Sequence, residues 1–189
     1  LFLPLASYFL VKKVKLSSRE NDTEVAKENI KQWKRSEVIK DYRFIIIALN
    51  MLAMPWIATG IFVYQSFILS AKNWGEYTIA QSFMVYSIAS VLTLFVAGYL
   101  IDKFTSRKLL IYMNIPFLIS LLILIYFQSP VSSSFFLGLI GVSNGFANVL
   151  GSSTWAEIYG VKFIGSIKAL TTALMVFSTA FGTALFGLM

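Results

Sequence analysis

The chain reads as an all-α, polytopic membrane helix bundle, and three observations predict this fold class. Residues 44–71, 77–101, 109–127, 132–156 and 169–189 contain no Asp, Glu, Lys, Arg or His, and a helix of about 20 residues at 1.5 Å rise crosses a hydrocarbon core about 30 Å thick. Charged residues make up only 13% of the chain and the mean hydropathy is +0.73, whereas soluble domains carry about 25% charged residues. The basic residues are also unevenly distributed. If the chain changes sides at each span, residues 12–43, 102–108 and 157–168 share one face and hold every Lys and Arg except Lys72. Basic loops stay in the cytosol, so these three segments are expected inside and the turns near Lys72 and Gln128 outside.

Taken in order, residues 1–11 form an apolar run that stops at Lys12 and Lys13. It is too short to span, and its charges follow the apolar stretch instead of preceding it as in a signal peptide. It is expected to be the end of a truncated transmembrane helix, which makes the chain a fragment. Residues 12–43, with ten basic and six acidic side chains, are expected to be a cytoplasmic linker. From Thr23 onward a helix would align Ala26, Ile30 and Trp33, either as an amphipathic helix at the headgroups or as a solvated segment. Ser36 with Glu37 reads as the start of a short helix leading into the first full span. The bundle then occupies residues 44–189, with spans at about 44–71, 77–101, 109–127, 132–156 and 166–189. Bends are expected at Pro55 and Pro116, and close helix contacts along Gly138, Gly141 and Gly145 and at Gly182 and Gly187.

Composition narrows the function. The net charge of +7 is accounted for by topology, so no nucleic-acid partner is expected. Without cysteine or histidine there is no thiolate or imidazole ligand and no usual proton shuttle, and no cofactor or metal site is expected. A polytopic enzyme would need a polar cluster at one interface, which no Asp/Glu pairing supplies.

Gly98, Leu100, Asp102, Lys103, Phe104, Arg107 and Lys108 join the second and third spans. This stretch resembles the cytoplasmic-loop signature of the major facilitator superfamily, with Thr105 where that family usually has Gly and Ser106 where it often has a base. The stretch from Ser36 to Phe44 is similar to the lead-in to helix seven of bacterial members. Trp155, Glu157, Tyr159, Gly160, Gly165 and Lys168 are similar to the loop between helices ten and eleven.

The resemblance implies a half-transporter running from the end of helix six through helix eleven, with an N-terminal half missing, in a bacterial inner (plasma) membrane. It further implies that Gly98, Asp102, Lys103, Arg107 and Lys108 latch the cytoplasmic side during alternating access. In this sequence Asp102, at a helix C-terminus, needs a cationic partner, for which Lys103, Arg107 and Lys108 are candidates. Glu157 with Lys162 or Lys168 is expected as a second latch.

A small-molecule solute would contact polar side chains facing a common cavity. Asn144, Asn148 and Ser152 recur every four residues and share a helix face with Trp155. The first span adds Asn50, Trp56, Thr59, Tyr64 and Gln65, and Tyr86 is a weaker addition. With no charge deep in a complete span, the set suits neutral or amphipathic solutes. Asn and Gln also serve as interhelical hydrogen-bond glue. The expected function is secondary transport of a small solute, with a non-transporting receptor or assembly protein on the same scaffold as the alternative.

Overall fold

The computed structural model describes residues 33–187. The expected helix end at 1–11 and the stripe at Ala26 and Ile30 lie outside the described residues. In chain order the helices are α1 (Arg35–Val38), α2 (Tyr42–Val63), α3 (Gln65–Lys72), α4 (Glu76–Lys103), α5 (Ser106–Tyr112), α6 (Ile115–Tyr126), α7 (Pro130–Tyr159) and α8 (Ile164–Gly187), with no strand among the described residues. Five segments are long and apolar enough to cross a membrane: Tyr42–Val63, Tyr77–Lys103, Ser106–Tyr126, Pro130–Tyr159 and Ile164–Leu185. The all-α bundle expected from the charge-free runs is therefore the fold observed.

Helix α2 begins where Asp41 accepts a hydrogen bond from the Arg43 N–H at 3.0 Å, which satisfies one of the donors a helix start leaves open. Pro55 has no N–H to give, yet the helix continues through it, and the Thr59 hydroxyl donates back to the Pro55 carbonyl at 2.6 Å. The interruption falls instead at Tyr64, with φ −98° and ψ 21°. Its phenol reaches across to donate to the Thr183 carbonyl of α8 at 3.3 Å.

The second interruption lies at Met113 and Asn114, between α5 and α6. Pro116 then sits within the first two positions of α6, where a missing N–H deprives the helix of nothing. An amide pair stitches this break to α2. Asn114 Nδ2 donates to the Asn50 carbonyl at 2.8 Å and to Asn50 Oδ1 at 3.0 Å. Asn50 Nδ2 in turn donates to the Leu110 carbonyl at 3.2 Å, one of the acceptors that the end of α5 leaves open.

The most extensive helix contact is between α4 and α7, and its cause is the small-residue row on α7. A Cβ added at Gly145 would lie 2.6 Å from Thr93 Cβ and 2.8 Å from the Ser90 carbonyl, and one at Gly141 would collide with the Tyr86 backbone. Lipid tails are as apolar as the side chains, so close van der Waals approach of this kind holds membrane helices together in place of a hydrophobic effect. Ser82 and Ser133 add a hydroxyl pair at 2.7 Å across the same seam. Gly182 presses α8 against Trp56 of α2 in the same way. Phe95 and Phe177, 75% and 79% exposed, belong to the outward apolar surface that suits lipid.

The connecting segments gather at two opposite ends. At the basic end, Trp33 N–H donates to the Tyr159 carbonyl at 3.2 Å and the Tyr159 hydroxyl to Asp41 Oδ2 at 3.2 Å. Phe44, Trp155 and Tyr159 pack beneath them with Val38 and Ile167. At the other end, Lys72 Nζ donates to the Ile125 and Phe127 carbonyls at 3.4 and 3.2 Å, and Trp74 Nε1 to the Gln128 carbonyl at 2.9 Å.

Candidate functional site

A cavity of about 320 Å³ opens between α2, α7 and α8. Each helix turns one face into it, because the lining positions recur three or four apart. Helix α7 presents Asn144, Asn148, Gly151, Ser152 and Trp155; α2 presents Ala48, Met51, Met54 and Pro55; α8 presents Lys168, Thr171, Thr172 and Met175; Met113 comes from the α5–α6 break. The volume lies at the small end of the range for small-molecule sites, which are characteristically apolar with a few convergent polar groups.

Among the lining residues Lys168 alone carries a charge, and none is a carboxylate. Its ammonium has no hydrogen-bond or ion-pair partner among the described residues. Asn144 Nδ2 is bound to Ser90 Oγ at 3.0 Å and Asn148 Nδ2 to the Asn144 carbonyl at 2.8 Å, and neither side-chain oxygen accepts a hydrogen bond among the described residues. Thr171 donates to the Lys168 carbonyl at 2.9 Å. Ser152 and Thr172 make no side-chain hydrogen bond. The three donors, Lys168 and Thr172 of α8 and Ser152 of α7, are therefore unspent on the cavity lining.

The sequence reading placed Asn144, Asn148, Ser152 and Trp155 together, and the structure does the same. Lys168, expected at a latch, lies on the cavity. Six other expected contacts lie off it. Asn50 is engaged with Asn114, and Thr59 back-bonds to Pro55. Trp56 packs on Phe181 at 6.1 Å between ring centroids. Tyr64 reaches Thr183. Tyr86 joins Phe62 and Phe83 in an aromatic group. Gln65 lies among Ile61, Ile68 and Phe83, its Oε1 buried without a partner. Sequence reasoning missed Thr171, Thr172 and the methionines; the three-to-four spacing of Lys168, Thr171, Thr172 and Met175 was the available signal.

The residues expected to form latches are also placed differently from expectation. Among the described residues Glu157 makes its ion pair with Arg107 and not with Lys168. Its Oε2 accepts from the Ser106 N–H at 2.9 Å and from the Ser106 hydroxyl, while Oε1 lies 3.4 Å from Arg107 Nε. The reason is local: Thr105, the residue before α5, makes no side-chain cap, so a carboxylate from α7 takes that place at the positive end of the helix. Ser106, where the signature often has a base, supplies a donor. Asp102 is exposed, and its carboxylate has no partner among the described residues. Lys103 lies over the neighbouring Phe104 ring at 5.8 Å, and Lys108 is exposed. A Cβ at Gly98 would meet nothing within 4 Å, because the tight part of the α4–α7 seam lies nearer Tyr86 and Thr93.

Five helices long and apolar enough to cross a membrane, three of them meeting at a largely apolar cavity with a few polar groups, define an integral membrane protein. The family model described as Major Facilitator Superfamily matches residues 1–189, and the chain belongs to that family of transporters. No curated protein and no solved structure matches it.

Proposed function

We propose that the chain is the substrate-holding part of a secondary transporter that moves a small solute by alternating access, with Asn144, Asn148, Ser152 and Trp155 forming one wall of the binding site. The observation that carries this reading is the cavity between α2, α7 and α8, where polar groups converge in an otherwise apolar lining. Within a bilayer such groups need a partner, and a solute supplies one. The Glu157, Ser106 and Arg107 contact at the basic end is proposed as the latch that holds one state. The basic end faces the cytosol in this reading. Asp102, exposed here, is proposed to find its cation in the other state.

The test is exchange of solutes by the full-length protein in proteoliposomes. Accumulation or counterflow of at least one solute is the expected result, with Asn144→Ala and Asn148→Ala weakening its apparent affinity. Binding without movement points instead to a receptor on the same scaffold. Unchanged affinity in both variants removes the cavity assignment.

A further inference from the structure

Resting on the reading of this cavity as the solute site, we infer that its substrate class is an amphipathic organic anion, held by its charged group at Lys168 and by its apolar body against the methionines.

Three features of the cavity converge on that chemistry. The first is its charge: one ammonium, no carboxylate, and no partner for the ammonium among the described residues. An uncompensated positive charge lining a cleft draws anions and repels cations. A neutral solute would accept a hydrogen bond from Lys168 but would lack the charge–charge attraction.

The second is the arrangement of donors. Lys168 is four residues into α8 from Ile164, so it lies about 6 Å above the start of that helix. Trp155, four residues before Tyr159 at the end of α7, sits at about the same level. Ser152 and Thr172 lie one turn deeper, and neither hydroxyl has a hydrogen-bond partner. Elsewhere in the spans hydroxyls commonly donate to the carbonyl three or four residues back, as at Thr59, Thr93 and Ser153. An ammonium and two uncommitted hydroxyls fit the several acceptor oxygens of a carboxylate, sulfonate or phosphate group, and charge assistance makes such bonds about twice as strong as neutral ones.

The third is the apolar part of the lining. Met51, Met54, Met113 and Met175 all line the cavity, and thioether side chains adapt to apolar shapes without demanding one outline. Met175 is seven residues beyond Lys168 on α8, about 10 Å along the helix, so the charged and apolar subsites are separated by the length of a small aromatic or short aliphatic body. The sequence reading of neutral or amphipathic solutes is thereby narrowed to amphipathic anions. What altered it is Lys168, which sequence reasoning assigned to the loop side.

Two matched sets of probes test this on the full-length protein in nanodiscs: 2-naphthoate, 2-naphthamide and 2-naphthylmethylammonium, and octanoate, octanamide and octylammonium. Thermal stability is read by intrinsic fluorescence at millimolar probe. The anion of at least one set should raise Tm while its amide and ammonium counterparts do not. Lys168→Gln should weaken the anion by about tenfold or more, and Lys168→Arg should retain it. Equal stabilisation by the uncharged or cationic members, no stabilisation by either anion, or an anion preference that survives in Lys168→Gln overturns the inference. Flux of the same probes into proteoliposomes separates this result from the transport reading. Lys168-dependent binding without flux removes transport and keeps the anion class; flux indifferent to Lys168→Gln removes the anion class and keeps transport.

Discussion

Glu157 works as a cap supplied from another helix. Its carboxylate is 29% exposed and takes two donors from Ser106 besides the Arg107 guanidinium, which is 55% exposed. Removing the carboxylate strands the Ser106 N–H at the start of α5, so Glu157→Ala should lower stability by about 1–3 kcal/mol. Arg107→Ala should cost less than about 1 kcal/mol, because an exposed ion pair is screened by water. Thermal unfolding of both variants in detergent decides this, and an equal loss in the two would show that the ion pair rather than the cap carries the contact. At this scale the sequence was partly legible. Asn144, Asn148 and Ser152 stood out because one helix carries all three on one face. Asn50 looked equivalent to them, yet its amide is consumed by Asn114 and Leu110. A mid-membrane amide reads the same whether it faces a cavity or a neighbouring helix, and only the packing of α2 against the α5–α6 break separates the two.

Among the elements, the α4–α7 seam depends on atoms that are not there. Gly141→Ala and Gly145→Ala each force a methyl group into backbone or side-chain atoms of α4 and should destabilise by about 1–3 kcal/mol. Gly151→Ala, where a Cβ meets nothing within 4 Å, should be silent in the same unfolding experiment. Comparable losses at Gly151 and Gly145 would discard the seam as the source. Asn114→Ala should cost a further 1–3 kcal/mol, roughly, by leaving the Asn50 carbonyl and Oδ1 without their donor. The helices themselves were readable from charge-free length, and the glycine row from spacing alone. The position of the first break was not. Proline at position 55 advertises a bend, whereas Tyr64 carries no local signal, and its torsions coincide with a phenol that docks on α8. Which faces of α2 and α8 turn inward was likewise hidden, because helices apolar all round give no amphipathic stripe to read.

For the whole molecule, the grouping of connections at two ends makes a direct prediction about sidedness. The chain has no cysteine, so Asn73→Cys and Thr105→Cys, both at exposed positions, supply single labels. A membrane-impermeant maleimide should reach them from opposite faces of intact cells, with position 105 on the cytosolic side. Labelling of both from one face would contradict the alternation of spans. Sidedness is an expectation that rests on counting Lys and Arg. The cavity was not legible in the sequence, since it exists only where three separate helices meet. The interruption at Tyr64 separates α2 from α3, and the two are fastened to different neighbours. Below it, Trp56 and the Tyr64 phenol grip α8; above it, Lys72 and Trp74 are moored to the end of α6. Tyr64, whose torsions leave the helical region, is thus the point at which the chain's anchorage passes from α8 to α6.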